Sequence, residues 1–105
     1  MKRNITKTPE KWVVLKLPAN NYKVFASWAG NYVGTDSWCL NSGIGKTEEE
    51  DDFYYFFGYS GSCYKCHKKS YGVATSYAQR VLDTIIERGD GEIQLLNYDE
   101  IGVIK

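Results

Sequence analysis

Cys63, Cys66 and His67 form a C-x-x-C-H run, the spacing of covalent haem attachment, with two thioether sulfurs and an axial histidine. Two features argue against that chemistry. The only methionine is Met1, and the flanking residues read as a strand, on which positions three apart point to opposite faces. Zinc is the second reading. Cys63, Cys66 and His67 with Cys39 could supply four ligands, but such sites are normally built from two close pairs, and Cys39 stands alone. The expectation is three reduced thiols, no metal ligand and no cofactor, with a small zinc-stabilised module as the alternative.

Gly43-Ile44-Gly45-Lys46-Thr47 resembles the end of a phosphate-binding loop. That loop would need a glycine at position 40, where Leu40 stands, and a helix behind it. An acidic run, Glu48 to Asp52, and an aromatic strand follow instead, so nucleotide binding is not expected. His67 is the sole histidine, and its neighbour Cys66 would point away from it on a strand. No catalytic residue emerges, and an enzyme is not expected.

The elements that must hold these residues follow from periodicity. Lys11 to Leu17 predicts a strand stopped by Pro18, and Tyr22 to Trp28 alternates as a second. Ser37 to Ile44 predicts a third strand, with Glu48 to Asp52 as an exposed turn. Phe53 to Tyr59 and Cys63 to His67 predict a pair broken by Ser60-Gly61-Ser62. Ala74, Tyr77, Ala78, Val81, Leu82, Ile85 and Ile86 recur at helical spacing over about 73–88, and Gly89 stops the helix. Glu92 to Tyr98 reads as a late strand. The fold class is α+β: an antiparallel sheet of four to six strands with one amphipathic helix on one face. Residues 1–10 read as a flexible lead-in and 11–105 as a single domain of ordinary size.

The net charge is zero, from 13 basic and 13 acidic residues, so the basic excess of a nucleic-acid binder is missing. Basic residues gather in 1–23 and 63–69, acidic ones in 36–52 and 83–100, which gives faces of opposite sign that could orient a partner. No apolar run is long enough to span a membrane, and no apolar segment backs the basic start. A cytoplasmic protein with no membrane contact is expected.

Nine tyrosines, four phenylalanines and three tryptophans exceed what one small core can use. In Phe53 to Tyr59 both faces of the strand must carry rings. Tyr and Trp anchor interfaces because they bury much area at low entropic cost. Tyrosines near Lys65, Lys68 and Lys69 could instead stack bases of a single-stranded nucleic acid, the less favoured alternative.

The stretch Asp36-Ser37-Trp38-Cys39-Leu40-Asn41-Ser42-Gly43-Ile44, with Tyr54-Tyr55, Ser60-Gly61-Ser62, Tyr64-Lys65-Cys66-His67-Lys68 and Tyr71-Gly72, resembles small uncharacterised accessory proteins of tailed bacteriophages. The likeness covers about residues 36–72. It implies a role, not a residue assignment: such proteins often bind and redirect or inhibit a host macromolecule. The expectation is therefore a non-enzymatic protein that binds a host protein through a sheet face. Trp28, Tyr32, Trp38, Tyr54 and Tyr64 would be the anchors, Lys65, Lys68 and Lys69 would steer, and a homodimer is compatible with the same surfaces.

Overall fold

Four consecutive apolar residues, Trp12 to Leu15, cannot be satisfied by a strand covered on one face only. A computed structural model describes residues 3–30 and 36–104, the side chain of Val103 excepted, and gives this run cover on both sides. The elements are β1 (Lys11–Leu17), β2 (Asn21–Trp28), β3 (Ser37–Leu40), β4 (Ile44–Glu50), β5 (Phe53–Gly58), β6 (Cys63–His67), α1 (Ser76–Arg88) and β7 (Gln94–Leu95), with a 3-10 segment over Tyr98–Ile104. They form two antiparallel sheets, ordered β3-β2-β1-β7 and β4-β5-β6, and one helix. This is an α+β fold.

The layers run helix, four-stranded sheet, three-stranded sheet. Val13, Leu15 and Phe25 face α1 and pack on Ala78 and Leu82. Trp12, Val14, Val24 and Ala26 point the other way, onto Tyr54, Phe56, Tyr64 and Cys66 of the second sheet. The strands thus divide between two sheets rather than joining one. The helix does not cover the aromatic strand β5; the sheet containing β1 does.

Trp12 is the hub between the sheets. It is fully buried and meets the rings of Tyr54, Phe56 and Tyr71 at centroid distances of 6.1, 5.4 and 4.8 Å. Its indole N–H donates to the His67 carbonyl at 2.7 Å. Ile101, fully buried, closes the same core from the C-terminal 3-10 segment.

The expected strand over Ser37 to Ile44 is broken at Asn41-Ser42-Gly43, where Gly43 takes a φ of +122°. The acidic run is also not all turn. Glu48 to Glu50 lie in β4 opposite Tyr55, Tyr54 and Phe53, and only Asp51-Asp52 makes the turn. Cations make this arrangement possible: Arg3 bonds Glu48 and Glu50 at 2.9 and 3.2 Å, and Lys68 pairs with Glu49. Lys46 and Arg3 beside it hold the Glu48 carboxyl below its ordinary range. The late strand shortens to Gln94–Leu95.

The helix begins three residues later than its apolar period implies. The Thr75 hydroxyl accepts the Ala78 N–H at 3.1 Å and caps it, while the Ala74 N–H is taken by Ser27 Oγ at 2.9 Å. Residues 3–10 include a stretch bound to the fold. The Thr6 N–H donates to the Cys63 carbonyl at 2.8 Å and the Lys65 N–H to the Lys7 carbonyl at 3.0 Å, which covers the free edge of β6.

Candidate functional site

Trp38 is the exposed tryptophan on the helix side of the first sheet. It lies opposite Ser27 in the register of β2 and β3, so it shares a face with Phe25. Its ring stacks on Phe25, with centroids 5.6 Å apart and planes 11° apart, yet 39% of the residue remains exposed. With Tyr77, Val81 and Ile85 of α1 it lines an open groove of about 420 Å³, bordered by Arg80 and Arg88. Neither arginine makes an ion pair among the described residues, and no carboxylate lines the groove.

The edge of β3 beside this groove has no strand partner among the described residues. The Asn41 N–H donates to the Val24 carbonyl at 3.1 Å. Antiparallel pairing alternates, so Cys39 and Ser37 also direct their backbone groups inward, toward Ala26 and Trp28. The N–H and C=O groups of Trp38 and Leu40 therefore point outward, along the free edge.

The other expected anchors do not join Trp38. Trp28 lies on the opposite face of the same sheet, half-buried, with its indole N–H donating to the Thr8 carbonyl at 3.2 Å. Tyr54 and Tyr64 are withdrawn from the surface, at 8% and 2% exposure, because they face the first sheet across the core. Tyr32 lies outside the described residues. Lys65 lies over the Phe53 ring at 4.3 Å on the outer face of the second sheet, Lys68 is paired with Glu49, and Lys69 is exposed. The steering lysines thus sit on a different layer from Trp38. Of the tyrosines meant to stack bases beside them, Tyr64 is buried and Tyr71 half-buried, while Tyr59 is exposed. Tyr77, Arg80, Val81, Ile85 and Arg88 were not among the expected anchors. The signal for Tyr77, Val81 and Ile85 is the width of the helix stripe: seven apolar positions, of which only Ala78 and Leu82 are buried.

A larger hollow, of about 550 Å³, opens on the outer face of the second sheet among Arg3, Lys46, Glu48, Glu50 and Cys63. Its charges neutralise one another: Lys46 pairs with Glu48 at 2.9 Å, and Arg3, lying 3.9 Å over the Tyr55 ring, pairs with both glutamates. Nothing there is left over to select a charged ligand.

The thiols do not converge. Cys66 faces the core and Cys63 the outer face of β6, so the C-x-x-C spacing cannot clasp one ion on this strand. Cys39 Sγ lies 2.9 Å from the Tyr64 hydroxyl. Burial pushes the Cys63 and Cys66 thiols up, away from the reactive thiolate, and burial with the Cys39 contact does the same to the Tyr64 phenol. Titration with a chromogenic disulfide at pH 8 is expected to modify Cys39 alone in the native protein and all three cysteines in guanidinium. Rapid native labelling of Cys66 would contradict the packing of the two sheets.

Among the described residues, no helix is long and apolar enough to cross a membrane. Comparison with protein-family models, curated proteins and solved structures finds no match to this chain.

Proposed function

We propose that the chain is a small non-enzymatic binding protein that engages a host protein and modulates or inhibits it. The likeness of residues 36–72 to accessory proteins of tailed bacteriophages gives this reading its setting, the cytoplasm of the bacterial host. The observation that carries it is the groove at Trp38: an exposed indole on the first sheet, an apolar helix face beside it, and two arginines in no ion pair among the described residues. Buried aromatic anchors rimmed by arginine are the residue types that dominate interface energies.

The test is affinity capture of the tagged protein from bacterial lysate, with and without nuclease, alongside Trp38→Ala. A near-stoichiometric host protein that survives nuclease and is lost with Trp38→Ala is the expected result. The variant gives up one ring stack, about 0.5–1.5 kcal/mol, and the burial of a partly covered indole, about 1–2 kcal/mol more, which is less than the about 5–15 kcal/mol of a typical domain, so it should still fold. A captured protein unaffected by Trp38→Ala, or material lost with nuclease, would reject this reading. Unfolding of the variant would reassign Trp38 to the core.

A further inference from the structure

We infer that the occupant of the groove is an extended, acidic segment of the partner, which adds to the free edge of β3 as a fifth strand of that sheet. The inference rests on the binding reading above and specifies its ligand. Three features converge on one line. The outward N–H and C=O groups of Trp38 and Leu40 offer a ladder to an incoming backbone. Trp38, Val81 and Ile85 offer an apolar floor to the side chains on the groove-facing side of that strand. Arg80 and Arg88, in no ion pair among the described residues and unopposed by any lining carboxylate, offer positive charge along its helix side.

Spacing narrows the ligand further. The arginines lie eight helical positions apart, a rise of about 12 Å. An extended chain covers about 13 Å in four residues, and alternate residues share a face. The matching pattern is acidic, any, apolar, any, acidic, with the apolar side chain on Trp38 and the carboxylates near Arg80 and Arg88.

β3, though only four residues long, carries no charge or proline to protect its edge. It is the uncharged Ser37-Trp38-Cys39-Leu40. The edge strand β4 carries Lys46 and three glutamates, the edge of β6 is covered by Thr6 and Lys7, and β7 is two residues long. A second copy pairing β3 with β3 would bring no carboxylate to the arginines from that strand, so an acidic partner is the better match.

The probes are two synthetic heptapeptides, Thr-Glu-Thr-Leu-Thr-Glu-Thr and its twin with Lys in place of both Glu. Each is titrated to millimolar concentration into the 15N-labelled full chain. The acidic peptide is expected to shift the Trp38 and Leu40 amides and slow their hydrogen exchange, and the Lys twin to bind at least about tenfold more weakly. Arg80→Glu with Arg88→Glu should invert that preference. Leu40→Pro removes an outward N–H together with a half-buried side chain packed on the Phe25 cluster, and should weaken binding with the sheet intact, as judged by the remaining amide spectrum.

No shift at β3, equal binding of the two peptides, or shifts confined to Lys65 to Lys69 would overturn the inference. So would protection of Trp38 and Leu40 without peptide together with a doubled mass in sedimentation, since a second copy would then hold the edge. Host-protein capture separates this inference from the reading beneath it. Capture lost in Trp38→Ala but kept in the arginine and proline variants rejects the strand-addition inference alone. Arginine-dependent peptide binding without any captured host protein rejects the host-binding reading alone.

Discussion

Trp12→Ala is expected to lower the unfolding free energy by about 3–5 kcal/mol, the range for emptying a large aromatic from a core. The position is fully buried between the sheets, and three rings lose their common partner. Domains of this kind are stable by only about 5–15 kcal/mol, so the loss removes about a fifth or more of the total and should clearly lower the unfolding midpoint. Trp12→Phe separates packing from hydrogen bonding. It keeps a ring at the hub but leaves the His67 carbonyl, now served at 2.7 Å, without its donor. Because that carbonyl is only partly buried, its share of the loss should fall near the lower end of about 1–3 kcal/mol, and the volume the smaller ring leaves unfilled adds to it. Urea unfolding followed by circular dichroism measures both variants. A loss under about 1 kcal/mol for Trp12→Ala would mean that the two sheets do not depend on this contact, against its place in the core.

The hub also shows where sequence reasoning reached and where it stopped. Lys11 to Leu17, stopped by Pro18, reads as a strand, and β1 has those bounds. Periodicity likewise sets the end of α1 at Arg88. Alternation reports which side chains share a face, but not which surface covers it. The rings of β5 therefore left open whether the helix, a partner or other parts of the chain lay over them. Tyr54 and Phe56 are covered by β1 and β2, while Tyr55 is covered by Arg3, 52 positions away in sequence. The same limit applies to Trp38. Its residue type marked it as an anchor, but its face follows from the β2–β3 register, and register is a long-range property. Arg80 and Arg88 read as ordinary polar-face residues of a helix until β3 is placed beside them. Tyr54 and Tyr64 failed as surface anchors because a second sheet, invisible in any local pattern, needed them inside.

Asn41→Ala is expected to cost about 2–4 kcal/mol, far more than a typical loop asparagine, since it strips two buried donors of their acceptor. Asn41 is 3% exposed, and its Oδ1 accepts the Val24 N–H at 2.8 Å and the Gly43 N–H at 3.3 Å. In an unbroken antiparallel pair the Val24 N–H would meet the carbonyl of the residue opposite. Here the chain turns away, and the side chain of that residue supplies the oxygen instead. Asn41 therefore both ends β3 and closes its last pair with β2. Its Nδ2 is buried with no partner among the described residues, so the side chain is held through its oxygen alone. Amide hydrogen exchange locates the effect. In Asn41→Ala, Val24 and Gly43 should exchange faster than the global loss of stability accounts for, while Leu15 in β1 should track that global loss. Since Trp38 reaches its stacked position on Phe25 from the same short strand, the variant should also weaken partner binding beyond its folded fraction. Unchanged exchange at Val24 would show that another acceptor takes over, and binding reduced only in proportion to the folded fraction would show that the groove does not depend on how β3 ends.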